Sequence, residues 1–169
     1  MTKTTVVKKI VYRSIGIIHT PFAQNVGVPI QPLAAKGITG EITIFPEYVE
    51  GLSDLEGFSH IILLYHLHLI KRYHLKVIPY MDNQLRGVFA TRAPARPNAI
   101  GISVVRLLRI KSNTLFIENV DIVDGTPLLD IKPYVPEFDC FKIQKIGWVK
   151  NNISKLKRMK SDERFRNKG

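Results

Sequence analysis

A chain of 169 residues with 45% hydrophobic and 23% charged side chains has the size and balance of one soluble globular domain, which excludes wholesale disorder and collagen-like repeats. Its single cysteine, Cys140, rules out an intramolecular disulfide and a cysteine-built zinc module, and points to a reducing cytoplasm. The formal charge of +11 sits at the ends: residues 1–20 hold four basic and no acidic side chains, residues 141–169 ten basic against two acidic, and the stretch between is nearly neutral. Such ends release counterions from a polyanion, so nucleic acid is the expected partner; the alternative is a pair of solvated, solubilising tails.

In chain order, residues 1–11 form a basic arm in which Lys8 and Lys9 interrupt the first apolar run, so no signal core is expected. The uncharged stretch from Ser14 to Ala35 contains Pro21, Pro29 and Pro32, and no membrane span is expected there. Tyr12 to His19 is a candidate strand ended by Thr20-Pro21. Ile38 to Phe45 alternates apolar and polar residues with the period of a half-buried strand. Residues 46–57 suggest a loop with one helical turn. His60 to Leu69 reads as a strand with Ile61, Leu63, Tyr65, Leu67 and Leu69 on one face and histidines on the other. Short strands are expected near Val77–Met81 and Gly87–Thr91. A β-branched strand from Ala99 to Ile110 is followed by a polar turn at Lys111-Ser112-Asn113 and a strand from Thr114 to Val120. After Pro136 the pattern changes, and Asn151 or Asn152 is expected to cap a helix with the stripe Ile153, Leu156 and Met159.

Many short strands with little helix between them predict a mainly β protein. The expected fold is a small single-domain antiparallel β-barrel with few short helices and a basic C-terminal helix or tail. The expected organisation is an N-terminal arm (1–11), a barrel domain (12–140) and a basic extension (141–169).

Motifs narrow the chemistry. No G-x-G-x-x-G follows a strand and no P-loop, G-x-S-x-G elbow or H-E-x-x-H occurs, so a Rossmann domain, a P-loop nucleotidase, common hydrolases and zincins get no support. Three stretches are rich in chemistry. Gly87 to Gly101 holds Arg92 and Arg96 in a loop stiffened by Pro94 and Pro97, fixed donors for a carboxylate or phosphate. Asp121 to Tyr134 combines the tight turn Asp124-Gly125-Thr126-Pro127 with Asp130 and Lys132. Val28-Pro29-Ile30-Gln31-Pro32 is a rigid extended piece carrying an amide. His66 and His68 have a common ligand spacing, but no third ligand is evident and no metal is expected.

These stretches, with Phe58-Ser59-His60, resemble the TsaA-like family of tRNA methyltransferases known as TrmO, over about Tyr12 to Asp139. The resemblance implies a small β-barrel that binds S-adenosylmethionine without a Rossmann domain and works as a homodimer. The implied reaction methylates the exocyclic nitrogen of threonylcarbamoyladenosine beside the tRNA anticodon. Gln31, Pro32, Leu67, His68, Arg92 and Asp124, Gly125, Thr126 and Pro127 look like cofactor contacts. Arg96 and Asn98 look like substrate-side residues, and Asp130, Lys132 and Tyr134 like the catalytic members. The group that takes the proton of the substrate nitrogen is open between Asp130, Tyr134 and His68. A non-catalytic RNA-binding barrel and a histidine-dependent metallohydrolase are the competing expectations.

Overall fold

Eight strands appear in the computed structural model, which describes residues 9–165. They are β1 (Gly16–His19), β2 (Thr39–Ile44), β3 (His60–His66), β4 (Lys76–Val77), β5 (Arg86–Gly87), β6 (Ile100–Lys111), β7 (Thr114–Glu118) and β8 (Thr126–Pro133). Alternation decides which face of each strand turns inward. Ile18, Ile42, Ile44, Ile61, Leu63, Val105, Leu115, Ile117 and Leu128 are all buried and together form one core. Six strands close around that core in the order β1-β2-β7-β6-β3-β8, every neighbouring pair antiparallel, while β4 and β5 form a separate ribbon. The expected mainly β barrel is therefore the observed architecture.

The hairpin between β6 and β7 turns at Ser112, which adopts φ 54°. Two glycines let strands and rings approach more closely than a side chain allows. A Cβ on Gly101 would collide with the ring of Tyr65, and one on Gly16 with the carbonyl oxygen of Thr43.

Four expectations are corrected. Gly87–Thr91 is not a strand: β5 stops at Gly87 and Val88–Ala90 is a 3₁₀ turn. There the Thr91 hydroxyl donates to the Val88 carbonyl (2.8 Å) and accepts from Ala93 N (3.1 Å), a local side-chain bond that competes with the sheet. The strand predicted to Leu69 ends at His66, after which His68 N turns back to the His66 carbonyl (2.8 Å). β8, whose residues read as turn chemistry, closes the barrel between β3 and β1.

No α-helix forms over Ile153, Leu156 and Met159; the segment is a chain of 3₁₀ turns, Gly147–Asn151 and Ile153–Lys155. Asn152 caps nothing with its side chain, which instead accepts from Lys155 Nζ (2.7 Å) and donates to the Trp148 carbonyl (3.3 Å). The segment folds back onto the barrel domain, where Phe165 joins Val77, Val88, Ala93 and Ala95 in a second apolar cluster. Among the described residues no helix is long and apolar enough to cross a membrane. Residues 1–8 of the basic arm lie outside the described part.

Candidate active site

The loop from Val88 to Asn98 is braced from within. Arg96 spends one guanidinium nitrogen on the carbonyls of Thr91 and Ala93 (3.2 Å each), so it holds the loop that carries Arg92. Asn98 is exposed beyond it, and its carbonyl accepts from Ile100 N (2.8 Å) at the start of β6. Arg92 itself is exposed, and its Nη1 donates to Gln31 Oε1 (2.7 Å). Pro32, next in the chain, starts a 3₁₀ turn (Pro32–Ala34), which sets the direction from which Gln31 reaches Arg92. Two sequence segments 61 residues apart thus meet at one guanidinium.

Around that pair lies a hollow of about 560 Å³, walled by Ile30, Tyr80, Met81, Phe89 and Ala90 from the barrel domain and by Trp148, Val149, Ile153 and Leu156 from the C-terminal segment. A second, smaller hollow of about 90 Å³ shares Tyr80 with it and is lined by Leu67, His68, Asp121 and Thr126. Tyr80 is largely buried here, which pushes its phenol up to about 12. The Thr126 hydroxyl donates to the Val123 carbonyl (2.6 Å) and lies 3.4 Å from His68 Nδ1. Burial first, then the neighbouring His66, lowers the His68 pKa, so its imidazole is neutral at pH 7.

The turn before Thr126 is held from outside the hollows. Asp124 Oδ1 accepts from Thr20 N (3.0 Å) and sits 3.4 Å from His19 Nδ1, while Gly125, at φ 73°, donates its N–H to the Ile18 carbonyl (2.9 Å). Pro127 is opposite Ile17 in the β1–β8 pair. Gln31, Arg92, Leu67, His68 and Thr126 are therefore gathered at the hollows, whereas Asp124, Gly125 and Pro127 shape the turn that presents Thr126.

Asp130, Lys132 and Tyr134 are placed elsewhere. Asp130 Oδ2 pairs with Lys132 Nζ (2.8 Å) on the exposed half of β8, and Asp130 borders a different depression with Tyr48 and Leu55. At about 3.3 Å per residue, Lys132 lies roughly 20 Å along the strand from Thr126. Tyr134 lies past the strand end, its phenol held above the ordinary value by partial desolvation and by Cys140 and Asp139. The trio expected to be catalytic does not line the Arg92 hollow within this chain.

Asp121 is the group that sequence reasoning left unassigned. Ser103 Oγ donates to Asp121 Oδ1 (2.6 Å), and the Tyr65 hydroxyl lies 3.0 Å from the same Ser103 oxygen. Enclosure raises the Asp121 pKa to about 6, against the lowering effects of the Ser103 hydrogen bond and the Arg92 charge. Tyr65 is raised as well, by burial and by the Asp121 charge. Only three-dimensional proximity could reveal this chain of groups, since its members are 38 and 18 residues apart.

The perturbed carboxyl has a measurable consequence. Folding raises its pKa from 3.8 to about 6, so the folded state binds the proton more tightly, and stability falls as pH rises through this window and stays lower above it. Asparagine does not titrate. Asp121→Asn should therefore gain on the parent by about 2–3 kcal/mol between about pH 4 and pH 7. Thermal melts of both proteins across that range measure the gain; a pH-independent gap would show that the carboxyl is not perturbed.

Among the described residues no three His, Cys, Asp or Glu side chains gather as a metal-holding group. His66 is exposed at the end of β3, while His68, past the strand end, has its Nδ1 3.4 Å from the Thr126 hydroxyl.

Known proteins carry the same arrangement of sequence. A probable S-adenosyl-L-methionine-binding protein of Pyrococcus abyssi is 60% identical over 156 residues, covering 92% of this chain and 85% of its own. A mouse tRNA (adenine(37)-N6)-methyltransferase is 37% identical over 136 residues, covering 74% of this chain but only 31% of the mouse enzyme. The crystal structure of TrmO from Pseudomonas aeruginosa superposes with a TM-score of 0.70 at 38% identity, over 83% of this chain and 62% of that one. Residues 17–140 match the family described as the tRNA-methyltransferase O N-terminal domain, and this chain belongs to that family.

Proposed function

We propose that the protein is an S-adenosylmethionine-dependent methyltransferase that modifies the exocyclic amino nitrogen of threonylcarbamoyladenosine next to the tRNA anticodon. The observation that carries this is the hollow in which Arg92, steadied by Gln31, faces apolar walls beside an enclosed carboxyl. Family membership and the names of its relatives support the same activity.

The hollow fits the cofactor's chemistry. Its volume lies within the usual range for small-ligand sites, and a guanidinium at its rim suits a carboxylate. S-adenosylmethionine, when bound, supplies an electrophilic methyl group on a sulfonium. Arg92 would hold the methionine carboxylate through N–H groups not given to Gln31, and Leu67, His68 and Thr126 would border the adjoining space. Apolar walls exclude water and fix reactants in an attack geometry, which is worth roughly 7–11 kcal/mol. The substrate nitrogen belongs to a urea-like group and must lose a proton. Asp121, poised near 6, and neutral His68 are the groups at the hollows able to hold one, so in this reading they take the role expected of Asp130, Lys132 and Tyr134.

tRNA approach is supported by charge. Lys150, Lys155 and Lys157 are exposed on the segment that walls the hollow, so the basic extension brings positive charge to the rim of the site. A homodimer acting in the cytoplasm completes the proposal, supported by the family resemblance and by the exposed free thiol of Cys140, which suits a reducing compartment.

Mass spectrometry of tRNA digests tests the whole assignment. Incubation with the protein and S-adenosylmethionine should add the mass of one CH2 to threonylcarbamoyladenosine, a methyl in place of the nitrogen's hydrogen. An unmodified nucleoside with tRNA still bound would instead favour an RNA-binding barrel without catalysis.

A further inference from the structure

The C-terminal segment lies beyond the family-matched residues 17–140, yet it is built into the site. Trp148 Nε1 donates to the Ala90 carbonyl (2.8 Å), two residues before Arg92. Further on, Lys160 bridges to Pro29, and Ser161 exchanges backbone hydrogen bonds with Gly27 and Val28 (2.8 Å each), just upstream of Gln31. Phe165 then packs edge-on against Tyr80, with ring centroids 5.1 Å apart. The segment is thus tied to both pieces of backbone that carry the Arg92–Gln31 pair. Its solvent-facing lysines explain its charge, but its contribution to the hollow is wholly apolar: Trp148, Val149, Ile153 and Leu156.

Two of the lining side chains are left substantially in water, Phe89 at 76% and Ile153 at 48% exposure. Large apolar groups around a hollow gain by being covered, and this hollow sets three aromatic rings, Tyr80, Phe89 and Trp148, near one carboxylate-seeking guanidinium. The Arg86 guanidinium lies over the Trp148 ring at 5.9 Å and helps to hold the indole in place.

We propose that residues 147–156 form one wall of the ligand site and set Trp148 beside the ring of an adenine nucleoside whose carboxylate is held by Arg92. The proposal rests on the methyltransferase assignment above, since both the methyl donor and the threonylcarbamoylated target are adenine nucleosides with a carboxylate arm. It replaces the simpler expectation that the basic extension only grips tRNA phosphates.

Trp148 is the chain's only tryptophan, so fluorescence excited at the red edge, where the chain's six tyrosines hardly absorb, reports on this wall. S-adenosylmethionine and threonylcarbamoyladenosine are titrated separately, by fluorescence and by calorimetry. A saturable fluorescence change is expected with at least one of them, and the one that produces it identifies which nucleoside the wall faces. Ile153→Asp, at a half-exposed position, should weaken that ligand at least tenfold with unchanged thermal melting. Should the aspartate disturb folding, the fluorescence titration of the parent still decides. Calorimetric binding without any fluorescence response, and with parental affinity in a folded Ile153→Asp, overturns the wall and leaves the methyltransferase assignment standing. No heat with either nucleoside overturns both.

Discussion

Arg92→Ala is expected to lower the affinity for S-adenosylmethionine more than tenfold in a calorimetric titration, with little change in thermal melting. A hydrogen bond to a charged partner contributes about 1.5–3 kcal/mol, and about 1.4 kcal/mol is a factor of ten. Arg92 is exposed and makes one hydrogen bond among the described residues, to Gln31, so its loss removes binding and not core. Arg92→Lys keeps the charge but not the planar fork, and should fall between parent and alanine variant. Gln31→Ala, which only frees the guanidinium to swing, should cost less than Arg92→Ala. Because the Arg92 charge lowers the Asp121 pKa, the alanine variant should also shift upward the pH at which Asp121 ionises. Parental affinity in Arg92→Ala would remove the guanidinium from the cofactor site.

Gly101→Ala should clearly destabilise the barrel core. The new Cβ meets three carbons of the Tyr65 ring, which is 7% exposed and tethered through its hydroxyl to Ser103. Overpacking of this kind costs about 1–3 kcal/mol, or roughly 2–12 °C in Tm for a chain this size. Shrinking the partner should recover part of the loss, so Gly101→Ala with Tyr65→Leu should be less unstable than the two single effects add up to. Strictly additive losses would show that the two positions do not compete for the same space.

Much of the barrel was legible because half-buried strands write their period into the chain. β2 shows Ile42 and Ile44 against Glu41 and Thr43, and β6 and β7 flank a polar turn. β8 was hidden because Pro127 and Pro133 read as punctuation and Asp130 with Lys132 broke the apolar pattern. It is a strand because β1 and β3 present ladder partners on both sides, a tertiary effect that local propensity does not carry. The C-terminal stripe misled for the opposite reason. Ile153 and Leu156 have helical spacing, but they line a hollow built by distant residues, and the Trp148 and Lys155 bonds to Ala90 and Met81 hold the backbone in shorter turns.

The site divides along the same line. Arg92 and Gln31 stood out as a stiffened guanidinium and an amide in a rigid piece, whereas Asp121 opened the aspartate-rich stretch without a role and Trp148 carries no motif. One acquires its chemistry from enclosure and the other from where the chain returns. The stretch from Asp124 to Pro127 was conspicuous as a turn, and bonds to Thr20 and Ile18 hold it as one, with Thr126 at the smaller hollow.

Barrel closure also orders events during synthesis. β1 pairs with β2 on one edge and with β8 on the other, Gly16 standing opposite both Ile44 and Leu128. A nascent chain can therefore form the first of these ladders early, but the second only when β8 (Thr126–Pro133), which starts more than eighty residues beyond the end of β2 at Ile44, has left the ribosome. Until then the opening strand presents an unpaired backbone row, the kind of surface that chaperones shield and that aggregates recruit. Among the described strands, the earliest to be made is not enclosed until the final one arrives.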